Sequence, residues 1–431
     1  MSNELIGLLG IVVMVILIAA RFWIGASMAI VGFVGLLIMS GSRTAMGALV
    51  TSPFAELDNY VLTAVPMFTV MGMIIAETSI GPKLFDCANK FLGRSPGGVA
   101  AATVAAGGVM GAVVSSNNVA CVIMSKMAYP ELKRINCETS LASASVSVGG
   151  TFGMLFPPSL LFIAYGVFTE TSIARLFMAG IVPGIALLLL YIGVVYIRCL
   201  KNSSLCPKGP KFTTKEKLKS LTGVLPIGIL MILVLGSIYQ GWATPTEAGA
   251  VGAFGAFVIA LVSKDITIRK TVTILKESVL AVGFVVFMLV GIFIFIRFVT
   301  LSRLPFLVSN FIMGLDIGPS AILFLVALMY LTLGMVIPAI PLMVLTVPIL
   351  APSMQILGFD LIWFGVIAVM MMSLGSVTPP IGTDIFIVSG VTKVPVSTIF
   401  RGMWPFYIAD AVLIILICIF PVIALWLPRL M

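Results

Sequence analysis

The sequence predicts an all-α polytopic membrane protein with two inverted structural repeats, each made of a re-entrant hairpin and a broken helix. Three observations carry this reading. Of the 431 residues, 60% are hydrophobic and only 10% are charged, whereas a soluble domain carries about 25% charged residues. The apolar residues fall in long runs, enough for on the order of a dozen helices at about 20 residues per span. A block of the first half, Gly153-Met154-Leu155-Phe156-Pro157-Pro158, recurs 222 positions later as Gly375-Ser376-Val377-Thr378-Pro379-Pro380.

Taken in order, the apolar stretches lie near 4–21, 23–40, 60–79, 97–114, 117–129, 138–156, 159–168, 176–198, 222–240, 247–263, 277–299, 318–335, 338–356, 361–377, 380–391 and 404–427. The first lacks a basic flank and a cleavage site, so it reads as a retained helix rather than a signal peptide. Several stretches are too short to span, and these sit beside Gly, Pro, Ser and Asn clusters. Short hydrophobic segments of this kind place irregular backbone at mid-membrane depth. The one long polar segment, 198–219, holds Arg198, Lys201, Lys208, Lys211, Lys215, Lys217 and Lys219 against Glu216 alone. By the positive-inside rule it is cytoplasmic. The next basic loop, 264–276, follows after two helices, so both loops fall on one side. In Thr244-Pro245-Thr246-Glu247 the spacing predicts a helix start: Thr244 as N-cap, Pro245 as first helical residue and Glu247 closing a capping box.

The repeat extends beyond the Pro-Pro block. Gly180-Ile181-Val182-Pro183 matches Gly402-Met403-Trp404-Pro405, and Pro130 matches Pro352, both at the offset of 222. Gly166-Val167 matches Gly390-Val391 at 224, which implies two extra residues after the second Pro-Pro. An odd number of crossings per unit would make such repeats inverted; hairpins and spans look alike in sequence, so the parity itself stays open at this point.

Composition also excludes chemistry. The chain has no histidine, which removes Ser-His-Asp and Cys-His catalysis, HExxH zinc sites and histidine proton relays. Its six cysteines form no CxxC pair, so no disulfide framework or transition-metal site is expected. There is no phosphate-binding loop for ATP. The net charge of +9 points to topology and anionic lipid of the bilayer, not to nucleic acid. No cofactor is expected.

Consecutive prolines cannot sit inside a regular helix, so 153–158 and 375–380 are expected to be unwound. Freed carbonyls and nearby hydroxyls suit a hard cation, and the half-helix N-terminus that follows suits an anion. About 40 residues before each break lies a candidate hairpin tip. The first, Ser115-Ser116-Asn117-Asn118, is polar. The second, Gly334 to Pro341, is not, and would rely on backbone carbonyls. Of the few charges at depth, Arg297 either attracts a carboxylate or snorkels to the interface. Asp384 is either a helix N-terminal residue or a contact to cargo or ion.

Gly149-Gly150-Thr151-Phe152-Gly153-Met154-Leu155-Phe156-Pro157-Pro158-Ser159, Ala243-Thr244-Pro245-Thr246-Glu247-Ala248-Gly249-Ala250 and Ser376-Val377-Thr378-Pro379-Pro380-Ile381-Gly382 together resemble the large membrane subunit of tripartite ATP-independent periplasmic (TRAP) transporters, along essentially the whole chain. The resemblance implies an elevator-type secondary transporter of the bacterial inner membrane. It implies a scaffold and a moving domain, and sodium-driven uptake of a small organic acid. It also implies two partners, a small four-helix membrane subunit and a periplasmic substrate-binding protein. By similarity, one sodium site involves Ser116, Asn118, Gly153, Phe156 and Pro158, and another Gly334, Gly375, Thr378 and Pro380. Candidate cargo contacts are Ser115, Asn117, Ser159, Arg297 and Asp384. The sequence departs from the family where an acidic residue often follows a hairpin Gly-Met; here the stretch is Val336-Ile337-Pro338. The Ser-Ser-Asn-Asn tip is also richer in amides than the usual Gly/Ser tip.

The expected organisation is N-terminal scaffold helices at 1–60, a first repeat at 61–200 with its broken helix at 149–168, a basic loop at 201–221, a scaffold helix pair at 222–276, and a second repeat at 277–431 with its broken helix at 375–391. The expected function is a sodium-coupled organic-acid importer subunit. A proton-coupled carrier stays open as the alternative, and a non-transporting membrane subunit or an enzyme is disfavoured by the missing nucleophile–base pairs.

Overall fold

The computed structural model describes residues 2–20, 22–314 and 317–431. Among these residues every regular element is helical. In chain order the helices are α1 (Asn3–Ala19), α2 (Ile24–Leu57), α3 (Ala64–Ala76), α4 (Ile80–Leu92), α5 (Gly98–Val114), α6 (Asn117–Arg134), α7 (Thr139–Leu155), α8 (Leu160–Thr169), α9 (Ile173–Lys201), α10 (Thr214–Tyr239), α11 (Pro245–Val262), α12 (Ile268–Leu301), α13 (Leu304–Gly314), α14 (Pro319–Gly334), α15 (Ala339–Ile356), α16 (Leu361–Ser376), α17 (Thr383–Thr392) and α18 (Val396–Ile419).

Among the described residues, eight segments are long and apolar enough to cross a bilayer, with α7 and α8 together forming one of them, and the bent pair α3–α4 would make a ninth. This is fewer than the dozen that composition allows. The difference lies in apolar helices of 10 to 17 residues, among them α5, α14, α16 and α17, at about 1.5 Å per residue too short to cross alone.

The first hairpin is visible in its hydrogen bonds. The N-terminal end of α5 is tied to the polar segment by Gly97 N donating to Cys206 O at 2.8 Å, and the turn after α6 by Glu138 N donating to Leu205 O at 2.6 Å. Both arms of α5–α6 therefore begin and end at the basic side of the molecule, and Ser115-Ser116 forms the tip between them. The broken helix α7–α8 then runs from this basic side outward, and α9 returns.

The second half repeats the series in the opposite direction. Helices α14 and α15 meet at 335–338, α16 and α17 at 377–382, and α18 follows. The first residue of α16 lies at the far side, where Tyr165 of α8 donates its hydroxyl to Leu361 O at 2.6 Å. The early part of α18 lies at the basic side: Arg198 of α9 reaches Gly402 O at 3.4 Å, and a Cβ on Gly402 would meet Ser140 O of α7 at 2.1 Å. So α16–α17 runs inward where α7–α8 runs outward. The two broken helices touch at equivalent positions, Ser373 Oγ donating to Thr151 O at 3.4 Å.

Buried apolar side chains form two separate cores. One joins α3 to α11 with α14 to α18. The other is built from α1, α2, α12 and α13, with a contribution from α15. In the smaller core, α2 and α12 approach through glycines. A Cβ on Gly291 would lie 1.9 Å from Gly25 O, and one on Gly32 would lie 2.9 Å from Phe295 backbone atoms. Small residues at such crossings replace the hydrophobic effect with close backbone packing.

The start of α11 is the capping box expected. Thr244 Oγ1 accepts from Glu247 N at 3.3 Å, and Thr244 N donates to Glu247 Oε2 at 2.8 Å. These hydrogen bonds occupy the Glu247 carboxylate, so the residue serves the helix end. Thr213 and Glu216 form a second box at α10.

Gly291→Ala puts a methyl against backbone that cannot yield. It should destabilise the α2–α12 pair by about 1–3 kcal/mol, read as a lower thermal midpoint of the purified protein. Gly283→Ala on the same helix, where a Cβ meets nothing within 4 Å, should leave the midpoint unchanged or slightly raised.

Candidate functional site

The two hairpin tips and the two breaks converge on one cavity of about 560 Å³. Its polar lining is Ser115, Ser116, Asn117 and Asn118 from the first tip with Thr383 and Asp384 of α17. Pro338 to Pro341 of the second tip, Gly153, Met154, Leu160 and Leu161 close the sides. Ile24 of α2 and Phe284, Val285 and Met288 of α12 close the face toward the smaller core. The cavity thus lies between the two cores.

Four helices begin at this cavity. Asn117, Leu160, Ala339 and Thr383 are the first residues of α6, α8, α15 and α17, and each lines it. Only α8 has a side-chain cap, Ser159 Oγ accepting from Phe162 N at 3.4 Å. Ser116, Pro338 and Gly382, which precede the other three, make no side-chain cap bond. Helix N-termini carry free N–H groups and a partial positive charge. Four of them facing one space form a cup that favours an anion, and among the described residues no lysine or arginine lines it.

The tip geometry follows from its sequence. Ser115 takes a left-handed φ of 55°, which turns the chain sharply between α5 and α6. The tip rests on α7 at Gly153, where a Cβ would stand 3.0 Å from both Ser116 C and Asn117 Oδ1. Higher up, a Cβ on Gly111 would be 2.7 Å from Gly153 N. The second half uses the same device: a Cβ on Gly375 would be 2.8 Å from Gly334 C. In both halves a glycine brings a hairpin arm against the broken helix, so that freed carbonyls and tip groups share a small volume.

The structure brings Ser115, Ser116, Asn117, Asn118, Gly153 and Asp384 together at the cavity. It seats Phe156 beside it, the ring packed on Phe152 at 5.4 Å between centroids. Pro158 is buried within the first break, whereas Pro380 is exposed in the second. Both Pro-Pro bonds are cis. Gly334 and Gly375 lie in mutual contact under the second break, and Thr378 Oγ1 donates to Leu374 O at 2.6 Å. Two candidate cargo contacts fall elsewhere. Ser159 is fully buried and caps α8, its hydroxyl also donating to Met154 O at 2.5 Å. Arg297 is exposed on α12, with Nη1 3.4 Å from Ser52 Oγ of α2, and it does not line the cavity. Its position six residues before Arg303 matches the interfacial alternative.

Two features escape a reading of sequence alone. Ser376 donates to Asp384 Oδ2 at 2.8 Å, and Asn117 Nδ2 donates to the same oxygen at 3.0 Å, linking the two halves. Asp410 of α18 is a second buried carboxylate, with Tyr191 OH of α9 2.8 Å from each of its oxygens. Aligning the halves makes α9 and α18 equivalent but does not match Tyr191 to Asp410, so it gives no signal for that pair.

Comparison with known proteins resolves the family. A family model described as the tripartite ATP-independent periplasmic transporter, DctM component, matches residues 11–423. The chain belongs to this family. It is 30% identical over 395 residues, 91% of this chain and 92% of the relative, to the C4-dicarboxylate TRAP transporter large permease protein DctM of Pseudomonas aeruginosa. It is 28% identical to the sialic acid TRAP transporter large permease protein SiaM of Vibrio cholerae, over 87% of each chain. It is 30% identical to an ectoine/5-hydroxyectoine TRAP transporter large permease protein of Ruegeria pomeroyi, over 92% of each. Among solved structures, the Alcanivorax borkumensis YdaH transporter shares the fold, with a TM-score of 0.67 at 14% identity over 91% of this chain and 90% of that one. The protein is therefore a multi-span TRAP large membrane subunit of the bacterial inner membrane, a transporter component and not an enzyme. Its partners are a small membrane subunit and a periplasmic binding protein.

Gly375→Ala should push the second hairpin off the broken helix. Uptake into proteoliposomes containing the complete complex should fall at least tenfold, while Gly193→Ala, where a Cβ meets nothing within 4 Å, should transport normally.

Proposed function

We propose that this subunit imports a small organic acid, handed over by the binding protein, in symport with sodium by an elevator motion. The observation that carries the reading is the cup of four helix N-termini over two Gly-packed breaks, set between two cores. The cup recognises a carboxylate through free N–H groups and helix dipoles. A volume of about 560 Å³ suits a small ligand, since such pockets run from about 300 to 1,000 Å³.

Sodium enters through the breaks. At the first, the Ser116 hydroxyl, the Asn118 amide and carbonyls of Gly153, Phe156 and Pro158 are hard oxygen donors. At the second, the Thr378 hydroxyl and carbonyls of Gly334, Gly375 and Pro380 play the same part. A sodium ion there neutralises carbonyl dipoles, fixes the tip against the break and thereby completes the anion cup. Coupling is thus a linkage: ion and cargo stabilise one arrangement of the tips, and each raises the affinity of the other by the same factor.

The placement of the cavity supports the elevator. α2 and α12 contribute its face from the smaller core, and the hairpins and broken helices contribute the rest from the larger one. Sliding the hairpins and broken helices past the α2–α12 face would carry the cup from one side to the other.

Uptake by proteoliposomes should require the small subunit, the cargo-loaded binding protein and an inward sodium gradient. Uptake at the same rate with choline in place of sodium would refute the coupling. Ser116→Ala and Thr378→Ala should each raise the sodium concentration for half-maximal uptake several-fold while the cargo still binds its binding protein normally.

A further inference from the structure

Asp384 is the sole acidic side chain in the lining of the cavity, and no basic side chain lines it among the described residues. It is 1% exposed. Its Oδ2 accepts from Asn117 Nδ2 and Ser376 Oγ, but its Oδ1 is buried without a partner. Two more oxygens in the same lining are equally orphaned: Asn117 Oδ1 and Ser115 Oγ, on residues that are each 4% exposed. The donation from Nδ2 to Asp384 fixes the orientation of the Asn117 amide, so Oδ1 is left as an acceptor. Buried polar atoms ordinarily find partners, and three unpartnered oxygens in one wall, one of them on a carboxylate, are the donor set of a cation.

The contrast with Asp410 sharpens this. Asp410 is as buried, but both of its oxygens lie within hydrogen-bond distance of Tyr191 OH. Asp384 has one oxygen that accepts from both halves of the molecule and one left over, on a residue that lines the space where an organic anion is to bind. An anionic cargo would be repelled by that carboxylate unless a cation sits between them or on it.

We propose that Asp384 Oδ1, Asn117 Oδ1 and Ser115 Oγ form an additional sodium site beside the one at the first break, whose Gly153 the Asn117 amide oxygen abuts, and that it binds one more ion per cargo. This rests on the sodium-coupled reading above. The ion cancels the Asp384 charge, so the helix N-termini can act on the cargo carboxylate. Because Asn117 belongs to the first hairpin and Ser376 to the second break, the carboxylate ties the ion to both halves.

The test is the sodium-to-cargo ratio of the complete complex in proteoliposomes, from the sodium gradient that just balances an imposed cargo gradient, at two pH values. Asp384→Asn should lower the ratio by one ion at both. An unchanged ratio would overturn the site. A variant that loses a pH-dependent component instead would identify a proton carrier, and one that loses cargo binding at an unchanged sodium ratio would identify a contact to a cationic group of the cargo; each overturns the proposal. If Asp384→Asn does not assemble, the sodium-dependent rise in thermal midpoint of the purified complex gives a second reading. It should shrink at low sodium in Ser115→Ala, and an undiminished rise would count against the site. Sodium-independent transport by the unaltered protein would refute the coupling reading itself, whereas a normal ratio in Asp384→Asn beside a coupled parent removes only this site.

Discussion

Inside a bilayer there is no water to satisfy a broken helix, so every interrupted backbone segment must find its partners within the protein. That constraint organises this molecule. The chain is broken at two Pro-Pro segments and turned at two hairpin tips; the first break is packed against protein, and the second is packed at Ser376 and Val377 while Pro379 to Ile381 are exposed. Gly111 and Gly153 in the first half, and Gly334 and Gly375 in the second, let a hairpin arm lie directly on a broken helix. What the regular helix can no longer supply is supplied in part by hydroxyls at the breaks, Ser159 and Thr378, or left open as the N-termini that face the cavity. The binding chemistry is the residue of an unsatisfied backbone, held in place by glycine packing.

Charge follows from the same constraint. A cup made from helix dipoles attracts an anion without a buried lysine or arginine, which would be costly at this depth. The basic side chains of the polar segment lie at one face instead, where 202–209 ties down the ends of α5 and α6. The arrangement leaves Asp384 as the one charged side chain among the described residues that line the cavity, bonded to a donor from each half. Opposed repeats bring this about: the running directions of α7–α8 and α16–α17 put the two breaks at similar depth, facing the same space.

Much of this was legible in the sequence. The Pro-Pro blocks at a fixed offset located both broken helices, the Ser-Ser-Asn-Asn run located the first tip, and Thr244 to Glu247 announced a capping box in full. These signals are local, and local backbone chemistry is written in adjacent residues. The number of crossings was not legible, because an apolar arm of a hairpin and an apolar span have the same composition. Arg297 could not be placed, since a helix apolar on every face gives no periodicity to say which side meets the cavity. The bonds from Asn117 and Ser376 to Asp384 and from Tyr191 to Asp410 were out of reach for a different reason. Three of them join residues 219 or more positions apart, and only the opposed packing of the halves makes them neighbours. Ser159 shows the converse error: a polar residue beside a break invites a binding role, and here it is consumed by capping α8.

The central claim is that neutral groups at the tips and breaks hold sodium. Binding of radiolabelled sodium to the purified large–small subunit complex tests it without transport, cargo or binding protein. The account predicts saturable binding that unlabelled sodium displaces and potassium does not, and that a Ser116→Ala/Thr378→Ala double variant loses in large part. Absence of saturable sodium binding to a folded complex, or undiminished binding by the double variant, would contradict it.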